Sequence, residues 1–156
     1  EVGVIVALIT VVVLFCVLRW TKLGRSFYAV GGNSQSALML GINVKRTRFL
    51  SHLICGLLAG IAGYVYFIHV GSGSATNASG MEMNAIASSI IGGTMLTGGV
   101  GNIIGTFFGV LSLSTIQNIV TSAGLDDAWW TGITIAGMLC LFLVLQSVIM
   151  ARKHRA

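Results

Sequence analysis

The sequence has 156 residues, of which 55% are hydrophobic and only 8% are charged. That composition leaves too little polar surface for a water-soluble domain of this length, so it predicts a membrane protein. The net charge of +5 does not indicate a nucleic-acid-binding face, because the nine Lys and Arg residues fall in three short clusters beside apolar segments. The clusters are Arg19/Lys22/Arg25, Lys45/Arg46/Arg48 and Arg152/Lys153/Arg155.

In chain order, the predicted elements begin with an apolar span over residues 2–18, close to the roughly 20 residues that cross a hydrocarbon core. A loop over residues 19–48 follows and carries a basic cluster at each end. Because short cytoplasmic loops are enriched in Lys and Arg, we expect this loop to lie in the cytoplasm. A second span over residues 49–70 then returns the chain to the outer side.

The cytoplasmic loop contains a short predicted helix. Asn33 is a favourable N-cap and Gly41 a C-terminal stop, so the apolar residues before Gly41 would be presented at the cytoplasmic surface. Such a helix either lies flat on lipid or docks into a groove of a partner subunit. The residues assigned to this contact are Asn33, Ser34, Gln35, Ala37, Leu38, Met39, Leu40 and Gly41.

Residues 85–96 form an apolar segment that is too short for a full span, because twelve helical residues extend only about 18 Å. We interpret it as a half-helix that enters from the outer side. The Glu82 carboxylate just before it is favoured by the positive end of the helix dipole, and it is a candidate at the outer mouth of a pathway. Residues 83–125 must begin and end outside, so they cross an even number of times or re-enter.

Residues 97–102, with the sequence Thr-Gly-Gly-Val-Gly-Asn, form an uncharged turn that we call the glycine loop. Irregular backbone at membrane depth is tolerated only where protein or a water-filled cavity covers it. The loop is therefore expected to be packed or to line a pathway. Gly98, Gly99 and Gly101 are pathway or gate candidates for this reason.

Two further spans, residues 103–123 and 129–150, complete the pattern, and the last one ends at the third basic cluster. The C-terminus is thus expected in the cytoplasm. The predicted fold is an all-α, polytopic transmembrane helical bundle with one half-helix and one short cytoplasmic helix. Small residues four apart let helix backbones approach closely, which predicts packing sites at Gly56, Gly60, Gly105 and Gly109.

Catalysis is not expected of this chain. The sequence has no nucleotide-binding, metalloprotease or Ser/His/Asp motif and no pair of carboxylates within a span, and its three cysteines lack ligand-like spacing. We therefore expect no bound cofactor or metal. The spans also lack a central Asp, Glu or Lys that would couple transport to protons or sodium ions, so energy for uphill transport would come from another subunit.

Four blocks of the sequence carry a family resemblance. They are residues 24–33 with 40–44, residues 56–63, residues 82–87 with 91–94, and residues 98–101 with 105–106. In this order they resemble permease subunits of bacterial sugar ABC importers of the ribose and galactofuranose type, within the branched-chain amino acid and monosaccharide permease family. The resemblance implies that residues 33–41 are the coupling helix, and it adds Asn84 and Thr94 to the pathway candidates.

The same resemblance implies a monosaccharide importer of the bacterial inner membrane. The chain would be about the C-terminal half of a permease that pairs with a second copy or a homologue. Its other partners would be cytoplasmic ATPases, which bind ATP and Mg, and a periplasmic sugar-binding protein. The short helix carries no charge, where many relatives are expected to have one.

Two other functional classes fit parts of the pattern. The chain would be half of a channel or ion-coupled carrier if the glycine loop formed a filter. It would be a membrane scaffold without a pathway if that loop were dry and fully packed.

Overall fold

The computed structural model describes residues 2–125 and 127–155, and every regular element in these ranges is an α-helix. The chain is all-α and polytopic, as predicted. Four of the helices, α1, α4, α6 and α7, are long and apolar enough to cross a membrane. The elements are α1 (Val2–Trp20), α2 (Lys22–Gly32), α3 (Ser34–Met39), α4 (Val44–Val70), α5 (Met81–Ile91), α6 (Ile103–Ser122) and α7 (Ala128–Arg155).

Beyond one or two residues at helix ends, four elements differ from the prediction. Helix α4 begins five residues before its predicted span, and α7 ends five residues after its own. The first part of the predicted loop is helix α2, in which Leu23, Phe27 and Val30 follow the three- and four-residue spacing of one helix face. Helix α5 begins four residues before the predicted half-helix and ends five residues before its end. It stops there because Gly93 has φ of +100°, which a right-handed helix does not allow.

The structure forms two compact units, and the first contains α1 to α4 with residues Thr97–Val100. Near the start of α1, a Cβ atom at Gly3 would lie 3.1 Å from Cγ1 of Val65, which is near the end of α4. The start of α1 therefore lies beside the end of α4. The turn from α1 into α2 is tight, because the buried Gly24 lies directly on the backbone of Leu18.

Helix α4 is capped at both ends. The Asn43 side chain accepts a hydrogen bond from the amide of Arg46, and Gly71 ends the helix with φ of +71°. The following connector is held against the same end of α4, because the Tyr66 hydroxyl donates to the carbonyl oxygen of Asn77 at 2.9 Å. This connector therefore stays at the C-terminal end of the span.

The second unit contains α5, α6 and α7. One residue from each helix is buried in its core: Ala87, Leu113 and Ile135. Ile91 and Leu139 pack against this core. Most other apolar side chains of the unit are exposed, as expected of helices whose outer faces contact lipid or further protein.

Candidate functional site

The short helix α3 is built by its caps. The Oδ1 atom of Asn33 accepts hydrogen bonds from the backbone amides of Gln35 at 3.1 Å and Ser36 at 3.2 Å. At the other end, Gly41 has φ of +84°, and its amide donates to the carbonyl of Leu38. The cap and the stop are therefore where the sequence predicts them.

Helix α3 presents an apolar edge that no described residue of its unit covers. Ala37 is buried, with 1% of its surface exposed, and anchors the helix. Leu38, Met39 and Leu40 are 65%, 90% and 79% exposed. Ser34 is half-buried, while Gln35 and Ser36 are exposed. Three consecutive exposed apolar residues between two basic clusters are suited to contact with another protein or with lipid.

The glycine loop is packed at its first half. A Cβ atom at Gly98 would lie 2.5 Å from the carbonyl oxygen of Gly31, and one at Gly99 would lie 2.6 Å from Cα of Gly32. Both loop glycines also have positive φ, of +91° and +82°. The loop backbone thus lies against the backbone at the end of α2, and only glycine fits there.

The six predicted pathway residues fall into three groups. Glu82 is exposed and Asn84 half-buried near the start of α5. Thr94 lies against Gly101, where a Cβ atom would be 3.2 Å from its Oγ1 atom. The third group is Gly98 and Gly99 beside α2.

Of the four predicted glycine packing sites, two contact the backbone of another helix and two have no described neighbour. In the second unit a Cβ atom at Gly105 would collide with the Gly92 carbonyl oxygen, and one at Gly109 with the Ser88 carbonyl oxygen. These four residues bring α5 and α6 into direct backbone contact. Around Gly56 and Gly60 no described atom lies within 4 Å of the Cβ position, so their packing stays a prediction.

Sequence reasoning missed Gln146, the one side-chain amide of α7. Its Nε2 atom donates to the carbonyl oxygen of Ile90 at 3.3 Å, near the C-terminal end of α5. The Ile90 carbonyl also accepts from the backbone amide of Gly93 at 3.0 Å, so the Gln146 amide is an additional donor that joins α7 to the end of α5. A lone amide in an otherwise apolar span was the available signal.

Sequence reasoning also missed a polar face on α6. At 100° per residue, several hydroxyl and amide side chains lie on α6 to one side of the line through Gly109 and the buried Leu113. The Asn118 amide forms no hydrogen bond with any residue in the described ranges. An unpaired amide is costly in lipid, so this face requires water, solute or further protein. The residues are Ser114, Gln117, Asn118 and Thr121.

Comparison with known proteins identifies the family. Residues 1–143 match the family described as branched-chain amino acid transport system / permease component. The chain belongs to this family. A fructose import permease protein of Bifidobacterium longum is 41% identical over 151 residues, which cover 97% of this chain and 44% of that protein.

Two further permease components show the same relationship. An inner membrane ABC transporter permease protein of Escherichia coli is 39% identical over 92% of this chain and 43% of its own length. A ribose import permease protein of Escherichia coli is 39% identical over 70% of this chain and 34% of its own length. The chain thus spans less than half the length of these relatives. No solved structure shows a significant match.

Proposed function

We propose that this chain forms part of the permease subunit of an ATP-driven importer for a monosaccharide. The names of the fructose and ribose permease relatives support the import of a small sugar. The whole permease would lie in a bacterial inner membrane with its C-terminus in the cytoplasm. ATP and Mg would be bound by a separate ATPase, since the sequence has no nucleotide-binding motif.

The observation that carries this proposal is the capped helix α3 with its exposed apolar edge. A cytoplasmic ATPase subunit would accept Leu38, Met39 and Leu40 in a groove, in the manner of an amphipathic helix in an apolar cleft. The other partners would be a second permease copy or homologue and a periplasmic sugar-binding protein. The lipid bilayer would surround the spans.

The experiment is Leu38→Asp in the full-length permease, expressed together with its ATPase. An aspartate at the centre of an apolar contact leaves a desolvated charge, so uptake is expected to fall by about 100-fold or more. Uptake of labelled sugar and recovery of the ATPase with the purified permease are measured together. Leu38→Met is the matched control, because it keeps an apolar side chain of similar volume. Normal uptake in Leu38→Asp would contradict the docking role.

A second part of the proposal is that residues 80–97 cross the bilayer as a discontinuous helix. The segment starts after the connector that Tyr66 holds at the C-terminal end of α4, and it ends at the glycine loop, which lies on the end of α2. Helix α5 alone is about 16 Å long, about half of a hydrocarbon core. Among residues 92–97 only Thr94 and Met95 lie outside turns, so the rest of the crossing would consist of irregular backbone covered by protein.

Single cysteines at Ser74 and Thr97 test this crossing in a cysteine-free full-length permease. An impermeant thiol reagent is expected to label Ser74→Cys from the outside and Thr97→Cys only in inside-out vesicles. Ser36→Cys in α3 serves as the cytoplasmic reference. Labelling of Thr97→Cys from the outside would instead support a segment that re-enters.

The polar face of α6 supplies the groups that a path for an uncharged sugar requires. Hydroxyl and amide side chains form hydrogen bonds with sugar hydroxyls without adding charge, and they also suit a water-filled path. In Asn118→Leu we expect uptake to fall by about tenfold while ATPase recovery stays normal. Ile119→Leu is the control on the neighbouring position. Unchanged uptake in Asn118→Leu would remove this face from the pathway.

A further inference from the structure

In the first unit, the end of α2 makes a close backbone contact with the glycine loop, although the two segments are far apart in sequence. A Cβ atom at Gly31 would lie 2.8 Å from the amide nitrogen of Gly99, and one at Gly98 would lie 2.5 Å from the carbonyl oxygen of Gly31. Real side-chain carbons do not approach other atoms so closely. No methyl group can enter the contact unless one backbone moves.

The two glycines at the end of α2, Gly31 and Gly32, are closely connected to α3. Asn33 alone separates Gly32 from the first residue of α3, and it is hydrogen-bonded into both helices. Its amide donates to the carbonyl of Ala29 in α2 at 3.1 Å, while its side chain caps α3. A displacement of α3 must therefore carry Gly31 and Gly32 with it.

The other side of the contact is tied through the chain to the spans of the second unit. Residues Thr97–Val100 group with the first unit, but the preceding segment leads back to α5 and the following one leads into α6. Asn102 caps α6 by accepting a hydrogen bond from the amide of Ile104. Only Gly101 separates this cap from Val100, so the connection to α6 is short.

We propose that Gly31, Gly98 and Gly99 form a mechanical joint that transmits movement of α3 to α5 and α6. In this role the three glycines are positioning residues, which act by letting two backbones move as one. This inference rests on the proposed docking of an ATPase on α3. It adds the contact through which a movement of α3, caused by the docked ATPase, would be transmitted to α5 and α6.

Gly31→Ala tests the joint, and Gly32→Ala is its matched control. Neither position has a positive φ, so alanine is compatible with both backbones and favours the helix slightly. A Cβ atom at Gly32 would lie 3.8 Å from Cα of Gly99, which is ordinary contact, whereas the one at Gly31 has no room. The two variants therefore differ chiefly in whether the loop is pushed away from α2.

The measurement is sugar uptake per ATP hydrolysed, with the full-length permease, its ATPase and its binding protein reconstituted in vesicles. For Gly31→Ala we expect ATP hydrolysis to persist and the ratio to fall by about tenfold, within the range that coupled sites usually span. For Gly32→Ala we expect an unchanged ratio. A purely structural defect would lower the amount of complex and leave the ratio intact, and this result would overturn the proposal.

A second variant covers the case in which Gly31→Ala fails to fold. Inserting Gly-Ser between Leu96 and Thr97 keeps the glycine contact and slackens its connection to α5, and both flanking residues are exposed. For this insertion variant we expect ATP hydrolysis to persist and sugar uptake per ATP hydrolysed to fall. An unchanged ratio would overturn the joint even if Leu38→Asp abolishes uptake. Failure of the ATPase to bind the unmodified permease would instead refute the proposed function.

Discussion

Two pairs of glycines with the same spacing meet different surroundings in this molecule. Gly105 and Gly109 lie on α6 and admit the backbone of α5 so closely that a methyl group at either position would overlap a carbonyl oxygen. Gly56 and Gly60 lie on α4 and have no described atom within 4 Å of their Cβ positions. The G-x-x-x-G pattern marks a helix face that permits close approach, but it does not say which helix arrives.

The backbone contacts between α5 and α6 follow a regular spacing along both helices. Ser88 meets Gly109 and Gly92 meets Gly105, so a step of four residues forward on α5 corresponds to four residues back on α6. The two helices are therefore antiparallel, with one small residue per turn along each contact line. This arrangement also explains why the short α5 is stable, because its own length is marginal for a helix.

The largest expected effect is that of Gly109→Ala. The new methyl group has no space between the backbones at Ser88 and Gly92, so we expect the free energy of unfolding to fall by about 1–3 kcal/mol. Unfolding of the full-length permease in mixed detergent, followed by circular dichroism, measures this change. Gly137→Ala in α7 is the control, because no described atom lies within 4 Å of its Cβ position. Equal stabilities of the two variants would contradict the observed helix contact.

An intermediate effect is expected for Gln146→Leu. This change leaves the Ile90 carbonyl without its side-chain donor, and hydrogen bonds between membrane helices typically contribute about 1 kcal/mol. The same unfolding measurement applies, with Ser147→Leu on the adjacent exposed position as the control. A loss no greater than that of the control would show that the amide does not hold α5.

The smallest effect is expected for Gly60→Ala. With nothing described near this position, alanine should change the free energy of unfolding by less than about 1 kcal/mol, in the stabilising direction set by helix propensity. A clear destabilisation in the full-length permease would reveal a helix packed on this face of α4 from outside the described residues. Both glycine pairs would then pack against a helix, and they would differ only in which helix that is.

The elements that the sequence predicts well are those decided by local composition. The apolar spans, the Asn33 cap and the Gly41 stop each depend on a few neighbouring residues, and the structure has all of them. Helix α2 was not predicted, because its glycines and basic residues suggest a loop and its apolar stripe is short. The limits of α5 were misjudged because the pair Gly92–Gly93 ends the helix, although such a pair is tolerated in many spans.

The candidate site could be predicted only in part. Helix α3 was predicted from its caps, and its coupling role stays a prediction. The contact of the glycine loop with Gly31 and Gly32 could not be predicted from the local sequence pattern. Gln146 and Asn118 are ordinary polar residues until the faces of their helices are known. Thr94 and Gly101 were chosen for one pathway, and the structure adds that they contact each other directly.

The sequence by itself determined that the chain is a set of membrane helices with basic loops, because hydropathy and charge act residue by residue along each segment. It also determined the caps, since capping is a contact between near neighbours. Only the tertiary structure decided which glycines touch another backbone and which amide meets the end of α5. Those contacts join residues of different elements, 56 positions apart for Ile90 and Gln146, and in a lipid solvent close packing selects partners where hydrophobicity cannot.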